Sequence, residues 1–250
     1  MSASVPTSAG AVARLAADAI GYGLRFLGKH GWRMLLWFFC LLLPLWGFAA
    51  LVGEYHEKAV FPFDALILNT LHNWATPTLD RFFILITRLG YIWGVVPLDV
   101  VLLMFLVFRR RFRDGLFFGI AVIGSAILNI AAKNYFARTR PDLWVSLMPE
   151  TTYSFPSGHA MASITLAFAM ILLCWPTRSR WLVLFGALVF VILVGTSRVY
   201  LGVHYPSDIL AGWTAAMAWT MGMYLLVDQK ALPPPPSAAP SRDTVGVGGA

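Results

Sequence analysis

Long apolar stretches separated by short polar segments dominate this chain. Six of them are candidates for membrane-crossing helices: residues 34–52, 90–108, 115–132, 160–175, 181–196 and 209–227. An α-helix rises about 1.5 Å per residue and needs roughly 20 residues to cross a hydrocarbon core about 30 Å thick. Because the stretches 160–175 and 181–196 have only 16 residues each, we expect their helices to extend into the neighbouring polar segments.

The remaining segments predict surface elements and tails. Residues 54–89 contain prolines, scattered aromatics and leucines among polar residues, which predicts short amphipathic helices at the extracytoplasmic membrane surface. Residues 1–33 predict a cytoplasmic segment with a helix lying on the membrane, and residues 229–250, rich in Pro, Ser, Ala and Gly, predict a disordered cytoplasmic tail. The expected fold is an all-α, polytopic bundle of six transmembrane helices, with one domain spanning residues 34–228.

Composition agrees with a membrane protein. The chain of 250 residues is 58% hydrophobic and 12% charged, whereas charged residues make up about 25% of a soluble domain. The net charge of +7 does not indicate a nucleic-acid partner, because the cations form short clusters beside apolar stretches. Cys40 and Cys174 both lie within apolar stretches, so neither a disulfide framework nor a cysteine metal site is expected.

The distribution of basic residues predicts the orientation. Six crossings place 12 of the 19 Lys and Arg residues on the side of both termini and 7 on the other side. The side richer in Lys and Arg faces the cytoplasm, so both termini are expected there. Counting crossings then places three polar clusters, residues 133–141, 155–160 and 197–208, together on the extracytoplasmic face.

These three clusters carry the groups needed to hold and transfer a phosphate. They supply the cations Lys133, Arg140 and Arg198, the imidazoles His159 and His204, the carboxylate Asp208 and the Ser157-Gly158 turn. Fixed cations stabilise charge spread over phosphoryl oxygens, and histidines transfer protons. The clusters therefore predict a phosphate-binding site at the membrane boundary.

The second cluster is expected to open the fourth helix. Pro156 suits a first helical position, and Gly158 leaves room for a phosphate oxygen to reach free backbone N–H groups. Ser157 and Ser197 are predicted to donate hydrogen bonds to phosphate or to cap helices. In the third cluster, Asp208 lies four residues after His204 and can fix its tautomer, leaving the other ring nitrogen nucleophilic.

Each feature taken alone has a structural alternative. The cations can be residues that extend from the bundle to the interface, Pro-Ser-Gly can be a simple turn, and the His-Asp pair can be a helix cap. We interpret Arg138 as such an interfacial or loop-stabilising residue. Asp99, inside the second stretch, is either functional or a carboxylate hydrogen-bonded within the bundle.

The three clusters in this order resemble the type 2 phosphatidic acid phosphatase superfamily of membrane lipid phosphatases. The matching pattern is Lys, six residues, Arg-Pro; then Pro-Ser-Gly-His; then Ser-Arg, five residues, His, three residues, Asp. All its positions are present, namely Lys133, Arg140, Pro141, Pro156, Ser157, Gly158, His159, Ser197, Arg198, His204 and Asp208. The resemblance covers residues 34–227 and also implies six spans with an extracytoplasmic site.

The resemblance implies a phosphatase that uses neither a metal nor another cofactor. His204 would attack phosphorus to give a phosphohistidine, Asp208 would orient His204, and His159 would protonate the leaving oxygen and then activate water. Lys133, Arg140, Ser157, Gly158 and Arg198 would hold the phosphoryl oxygens. The substrate would be a lipid phosphate entering laterally in a bacterial cytoplasmic membrane: an isoprenoid diphosphate, phosphatidylglycerol phosphate or phosphatidate, with a lipid A phosphate as an alternative.

Three other functions remain open from the sequence. A phosphotransferase would pass the phosphoryl group from a polyprenyl diphosphate to another lipid through the same phosphohistidine. A metalloenzyme would use His159, His204 and Asp208 as ligands, although three neighbouring cations would repel a divalent ion. A lipid-binding or transport protein would use the cations only to bind headgroups.

Overall fold

The computed structural model describes residues 37–58 and 61–227, with isolated positions before residue 37. Within this part of the chain all regular structure is helical. A π-helical turn, Phe38–Leu42, leads into α1, Leu43–Lys58, and the other helices are α2, Pro62–Asn73; α3, Pro77–Leu89; α4, Val95–Phe108; α5, Phe112–Phe136; α6, Gly158–Cys174; α7, Arg180–Tyr200; and α8, Pro206–Val227. The surface helix predicted in residues 1–33 and the tail predicted in 229–250 lie outside the described residues.

Each of the six apolar stretches corresponds to a helix. Four helices are long and apolar enough to cross a membrane, namely Phe38–His56, Phe112–Phe136, Arg180–Tyr200 and Pro206–Val227. The shorter apolar helices Val95–Phe108 and Gly158–Cys174 correspond to the second and fourth stretches. The prediction of an all-helical membrane protein is therefore confirmed, while the count of six spans stays a prediction.

The short stretches do extend into the polar clusters, as expected. The helix α7 continues four residues beyond the predicted end at residue 196, so that Ser197 and Arg198 lie in its last turn. The helix α6, which corresponds to the fourth apolar stretch, begins at Gly158 and thus includes His159. The polar residues of the second and third clusters therefore lie at the ends of helices.

The second stretch differs from its predicted boundary. Its helix begins at Val95, because residues 90–94 form a turn between α3 and α4. At Gly94, a Cβ atom would lie 2.2 Å from the backbone oxygen of Leu89, closer than any side chain could be accommodated. The turn therefore needs a glycine at position 94, and the helix that follows has 14 residues.

The predicted amphipathic helices in residues 54–89 are present as α2 and α3. Both begin with a proline, and the Thr76 hydroxyl caps α3 by accepting a hydrogen bond from the N–H of Leu79 at 3.3 Å. The helix α3 packs on the end of α7, where the Tyr200 hydroxyl donates to Asp80 at 2.6 Å. These two helices border the site described below.

The bundle is centred on α6, which packs against α5, α7 and α8. Its core includes Phe118, Leu166 and Ala169, all buried. Tryptophans pack directly on glycines: a Cβ at Gly124 would lie 2.2 Å from Trp219. Small residues allow such close approach between membrane helices, and here Gly124 lets α5 and α8 pack closely.

Candidate active site

The three polar clusters meet in one site. The helices α5 and α7 end there, and α6 and α8 begin there. The N–H of Ser157 donates to the backbone oxygen of Asp208 at 3.1 Å, which joins the second cluster to the third. Arg140 donates to the backbone oxygen of Val203 at 2.6 Å, which joins the first cluster to the third.

His204 lies at the centre of these contacts and is fully buried. Its Nδ1 faces a carboxylate oxygen of Asp208 at 3.3 Å, and its Nε2 faces an Arg140 nitrogen at 3.1 Å. A guanidinium can only donate hydrogen bonds, so Nε2 must be the acceptor and Nδ1 carries the proton. This is the tautomer expected from the His-Asp spacing, with Nε2 as the available nucleophile.

The charge state of His204 follows from its surroundings. Burial lowers the pKa of His204 well below 6.5, Arg198 and Arg140 lower it further, and Glu150 partly opposes them. The imidazole is therefore neutral at neutral pH and retains the lone pair needed for attack on phosphorus.

Asp208 is held by two donors besides the His204 ring. Arg138 donates to Oδ1 at 2.6 Å, and the N–H of Tyr205 donates to Oδ2 at 2.9 Å. These contacts fix the carboxylate that orients His204.

Arg138 is not an interfacial residue, and that part of the sequence interpretation was wrong. Its side chain is only 4% exposed and lies between two buried carboxylates, Asp208 and Asp64. The Tyr205 ring covers the guanidinium at 4.1 Å. Because Asp64 also accepts the N–H of Ser207 at 2.9 Å, this network ties α2 to the start of α8.

The three expected phosphate-binding cations lie near His204, each with a protein partner. Lys133 donates to the Thr152 hydroxyl at 3.0 Å and to the backbone oxygen of Tyr153 at 2.6 Å. Arg198 is 1% exposed; it donates to the Thr87 hydroxyl at 2.5 Å and contacts Glu150. The Arg198 side chain, which extends from α7, is thus held by one residue of α3 and one residue of the loop 137–157.

The Pro-Ser-Gly-His segment starts α6 differently from the prediction. Ser157 is the N-cap, with its hydroxyl accepting the N–H of Ala160 at 3.4 Å, and Pro156 precedes the cap instead of occupying the first helical position. At Gly158, a Cβ would meet the side-chain oxygen of Asn129 at 3.0 Å. A side chain at this position would therefore press on Asn129 of α5.

His159 and Ser197 complete the comparison with the sequence. The His159 ring packs on Tyr91 with centroids 5.0 Å apart, at the turn between α3 and α4, and it lies near enough to Arg198 and His204 to interact electrostatically with both. The Ser197 hydroxyl donates to the backbone oxygen of Val194 at 2.7 Å. Ser197 thus belongs to its own helix and faces no phosphate site.

Sequence reasoning missed Asp64, Glu150 and Asn129. Asn129 donates to the backbone oxygen of Pro156 at 3.0 Å and so supports the start of α6. A lone acidic residue in a short surface helix or in a polar loop carries no local signal of burial or pairing. Only their contacts with Arg138, Arg140 and Arg198 identify Asp64 and Glu150 as parts of the site.

Asp99 lies in the second turn of α4, and its Oδ1 is buried without a hydrogen-bond partner. Across residues 37–58 and 61–227, no group of three or more His, Cys, Asp and Glu side chains is arranged to hold a metal. Around His204, Nε2 faces a guanidinium instead of an open coordination position.

Known proteins with related sequences and folds include characterised lipid phosphatases. Residues 114–231 match the PAP2 superfamily. Phosphatidylglycerophosphatase B from Bacillus subtilis is 32% identical over 175 residues, covering 68% of this chain and 86% of that protein. An undecaprenyl-diphosphatase from Sulfolobus acidocaldarius is 31% identical over 158 residues, covering 60% of this chain and 72% of that protein.

The solved structures agree with this relationship. The crystal structure of a transmembrane PAP2 type phosphatidylglycerolphosphate phosphatase from Bacillus subtilis matches with a TM-score of 0.67 and 30% identity, covering 76% of this chain and 96% of that one. Aquifex aeolicus LpxE matches with a TM-score of 0.56 and 24% identity over 66% of this chain and 96% of that one, and shares the fold. This chain therefore belongs to the PAP2 superfamily and is a membrane lipid phosphatase.

Proposed function

We propose that this protein removes phosphate from a lipid phosphomonoester or diphosphate through a phosphohistidine formed on His204. The observation that carries the proposal is the environment of the His204 ring, with Asp208 at Nδ1 and Arg140 at Nε2. A neutral nitrogen nucleophile and a phosphate-binding cation are adjacent in one buried site. The candidate substrates are an isoprenoid diphosphate, phosphatidylglycerol phosphate and phosphatidate.

In the first step, Nε2 of His204 attacks phosphorus while Arg140 turns from the ring to a phosphoryl oxygen. The P–N bond forms, the bond from phosphorus to the leaving oxygen breaks, and His159, protonated once the anionic substrate is bound beside it, gives its proton to that oxygen. Asp208 stabilises the positive charge that develops on the phosphorylated ring. The product alcohol or phosphate ester then leaves the site.

In the second step, water attacks the phosphohistidine. His159, now neutral, accepts a proton from the water, the P–N bond breaks, and phosphate leaves with His204 neutral again. Throughout, Lys133, Arg140 and Arg198 balance the charge on the phosphoryl oxygens, with the Ser157 hydroxyl and the Gly158 N–H as further donors. This arrangement of fixed cations replaces a metal ion, so we propose a metal-independent reaction.

The proposed topology has six crossings within a domain of residues 34–228, in a bacterial cytoplasmic membrane. Both termini face the cytoplasm, and the site faces the other side. The meeting of the ends of α5 and α7 with the beginnings of α6 and α8 supports it, because consecutive crossings must alternate in direction. The lipid enters laterally, so that its chains stay in the bilayer while its headgroup reaches His204.

The test is phosphate release from purified lipids of each candidate class by the purified protein. His204→Ala, His159→Ala and Arg198→Ala are each expected to lower turnover at least about 100-fold while still inserting normally. His56→Ala is the matched control, because His56 is an exposed histidine on α1 and should leave turnover unchanged.

A His204→Ala variant with near wild-type turnover would refute the nucleophile assignment. Mass spectrometry of the lipid products separates hydrolysis from transfer, because hydrolysis releases free phosphate and a phosphotransferase yields a newly phosphorylated lipid. A phosphohistidine trapped by a quench without acid would support covalent catalysis over a protein that only binds headgroups.

A further inference from the structure

Glu150 connects two of the cations that surround His204. It lies in the loop 137–157 between α5 and α6. One carboxylate oxygen accepts a hydrogen bond from Arg140 at 2.7 Å, and the other contacts Arg198. Both arginines belong to the phosphate-binding set, so Glu150 bridges them across the site.

The carboxylate occupies the position of an anionic ligand. A guanidinium binds a carboxylate and a phosphate with the same planar fork. Arg140 contacts Glu150 with one terminal nitrogen and Nε2 of His204 with the other. The Glu150 carboxylate therefore lies beside the place where phosphorus must be during attack by Nε2.

Glu150 is both charged and accessible enough to be displaced. Burial acts to raise the pKa of its carboxyl, but the neighbouring cations, Arg198 first and then Arg140, outweigh burial and hold the pKa below its usual value. Its side chain is 28% exposed, whereas that of Arg198 is 1% exposed. The Glu150 carboxylate is therefore partly accessible from solvent, whereas the Arg198 guanidinium that it neutralises is buried.

We propose that Glu150 determines substrate specificity by competing with the substrate for Arg140 and Arg198, an inference that rests on the phosphatase function proposed above. A phosphomonoester or diphosphate carries more than one negative charge and displaces the carboxylate. A phosphodiester headgroup carries a single charge, equal to that of Glu150, and gains nothing by the exchange. The protein thereby excludes the phosphodiester lipids that surround it in the bilayer.

The test compares two soluble probes, inorganic phosphate and dimethyl phosphate, by calorimetric titration of the purified full-length protein at mildly alkaline pH. The variant is Glu150→Gln, which keeps the shape and removes the charge. Asp142→Asn is the matched control, because Asp142 is an exposed carboxylate in the same loop. For Glu150→Gln we expect affinity for both probes to rise at least about tenfold, because the competing carboxylate is removed in both cases, and no change for Asp142→Asn.

Inhibition of lipid hydrolysis provides a second measurement. Vesicles of a phosphodiester lipid are expected to inhibit Glu150→Gln competitively at concentrations that leave the wild type unaffected. Should Glu150→Gln not insert, Glu150→Asp is expected to shift both measurements in the same direction, because its shorter side chain reaches the two guanidinium groups less well.

Two outcomes would overturn the proposal. Unchanged affinities in Glu150→Gln would mean that the carboxylate does not compete, and lost phosphate binding would mean that it builds the site. Both outcomes are read from phosphate binding, whereas the proposed function is tested by lipid hydrolysis, so the two can fail separately. Tighter phosphate binding by Glu150→Gln, with none of the candidate lipids hydrolysed by the wild type, would support the competition and refute the proposed reaction on these lipids.

Discussion

Substitution of Arg138 by methionine tests how the site holds Asp208. The guanidinium donates to Asp208 at 2.6 Å and to Asp64 at 3.0 Å, and both carboxylates are fully buried. Methionine keeps much of the apolar stem but leaves two buried carboxylates without the cation between them. Removing one partner of a buried ion pair costs about 3–5 kcal/mol, so a large loss of stability is expected.

Catalysis should fall as well. Without Arg138, Asp208 is expected to take up a proton, and a neutral carboxyl no longer stabilises the positive charge on phosphorylated His204. A hydrogen bond to a charged group contributes about 1.5–3 kcal/mol, which corresponds to a decrease of roughly 10- to 150-fold in kcat. KM should change little, because the Arg138 guanidinium is already engaged by Asp208 and Asp64.

The assay is lipid phosphate release, giving kcat and KM separately, together with thermal unfolding of the purified protein. The matched control is Arg111→Met, because Arg111 pairs with Asp114 at 2.6 Å and its side chain is 47% exposed. Adding Asp64→Asn to Arg138→Met should restore part of the stability by removing the charge that is left unpaired at Asp64. A folded Arg138→Met protein with wild-type kcat would refute this reasoning, and a change confined to KM would make Arg138 a phosphate ligand instead.

Three further predictions concern pH, packing and metals. Because burial, Arg198 and Arg140 depress the pKa of His204 below 6.5, the neutral ring persists in mild acid, and the acid limb of the kcat/KM profile should lie below pH 6.5. In Arg140→Gln, measured on the same substrate, this limb should move to higher pH. A limb that does not move would contradict the assignment. Gly158→Ala should lower kcat/KM about tenfold, because the added Cβ displaces Asn129 and weakens its bond to residue 156; in the Asn129→Ala background the further loss should be smaller, whereas a fully additive loss would mean that the added Cβ does not act through Asn129. Incubation with excess EDTA should leave turnover unchanged, and loss of activity restored by a divalent ion would favour the metalloenzyme.

The helices were predictable because a bilayer imposes a local requirement. A segment that crosses it must bury its backbone hydrogen bonds and expose apolar side chains, so each span leaves a run of apolar residues in the sequence. The same runs set the parity of the polar clusters and predicted their convergence. The boundary at residue 95 could not be predicted from hydropathy, because a turn made possible by Gly94 interrupts an unbroken apolar stretch.

The sequence by itself determined the helical membrane architecture, the superfamily pattern and the pairing of His204 with Asp208, which are four residues apart and meet through local geometry. The tertiary structure alone decided which charges face each other: Arg138 meets Asp64 across 74 positions, and Arg198 meets Glu150 across 48. The physical reason is that each spanning helix responds to the surrounding bilayer through its own consecutive apolar residues, which can be read directly from the sequence. An ion pair depends on two side chains reaching each other in a low-dielectric interior, and neither side chain carries a local mark of its partner.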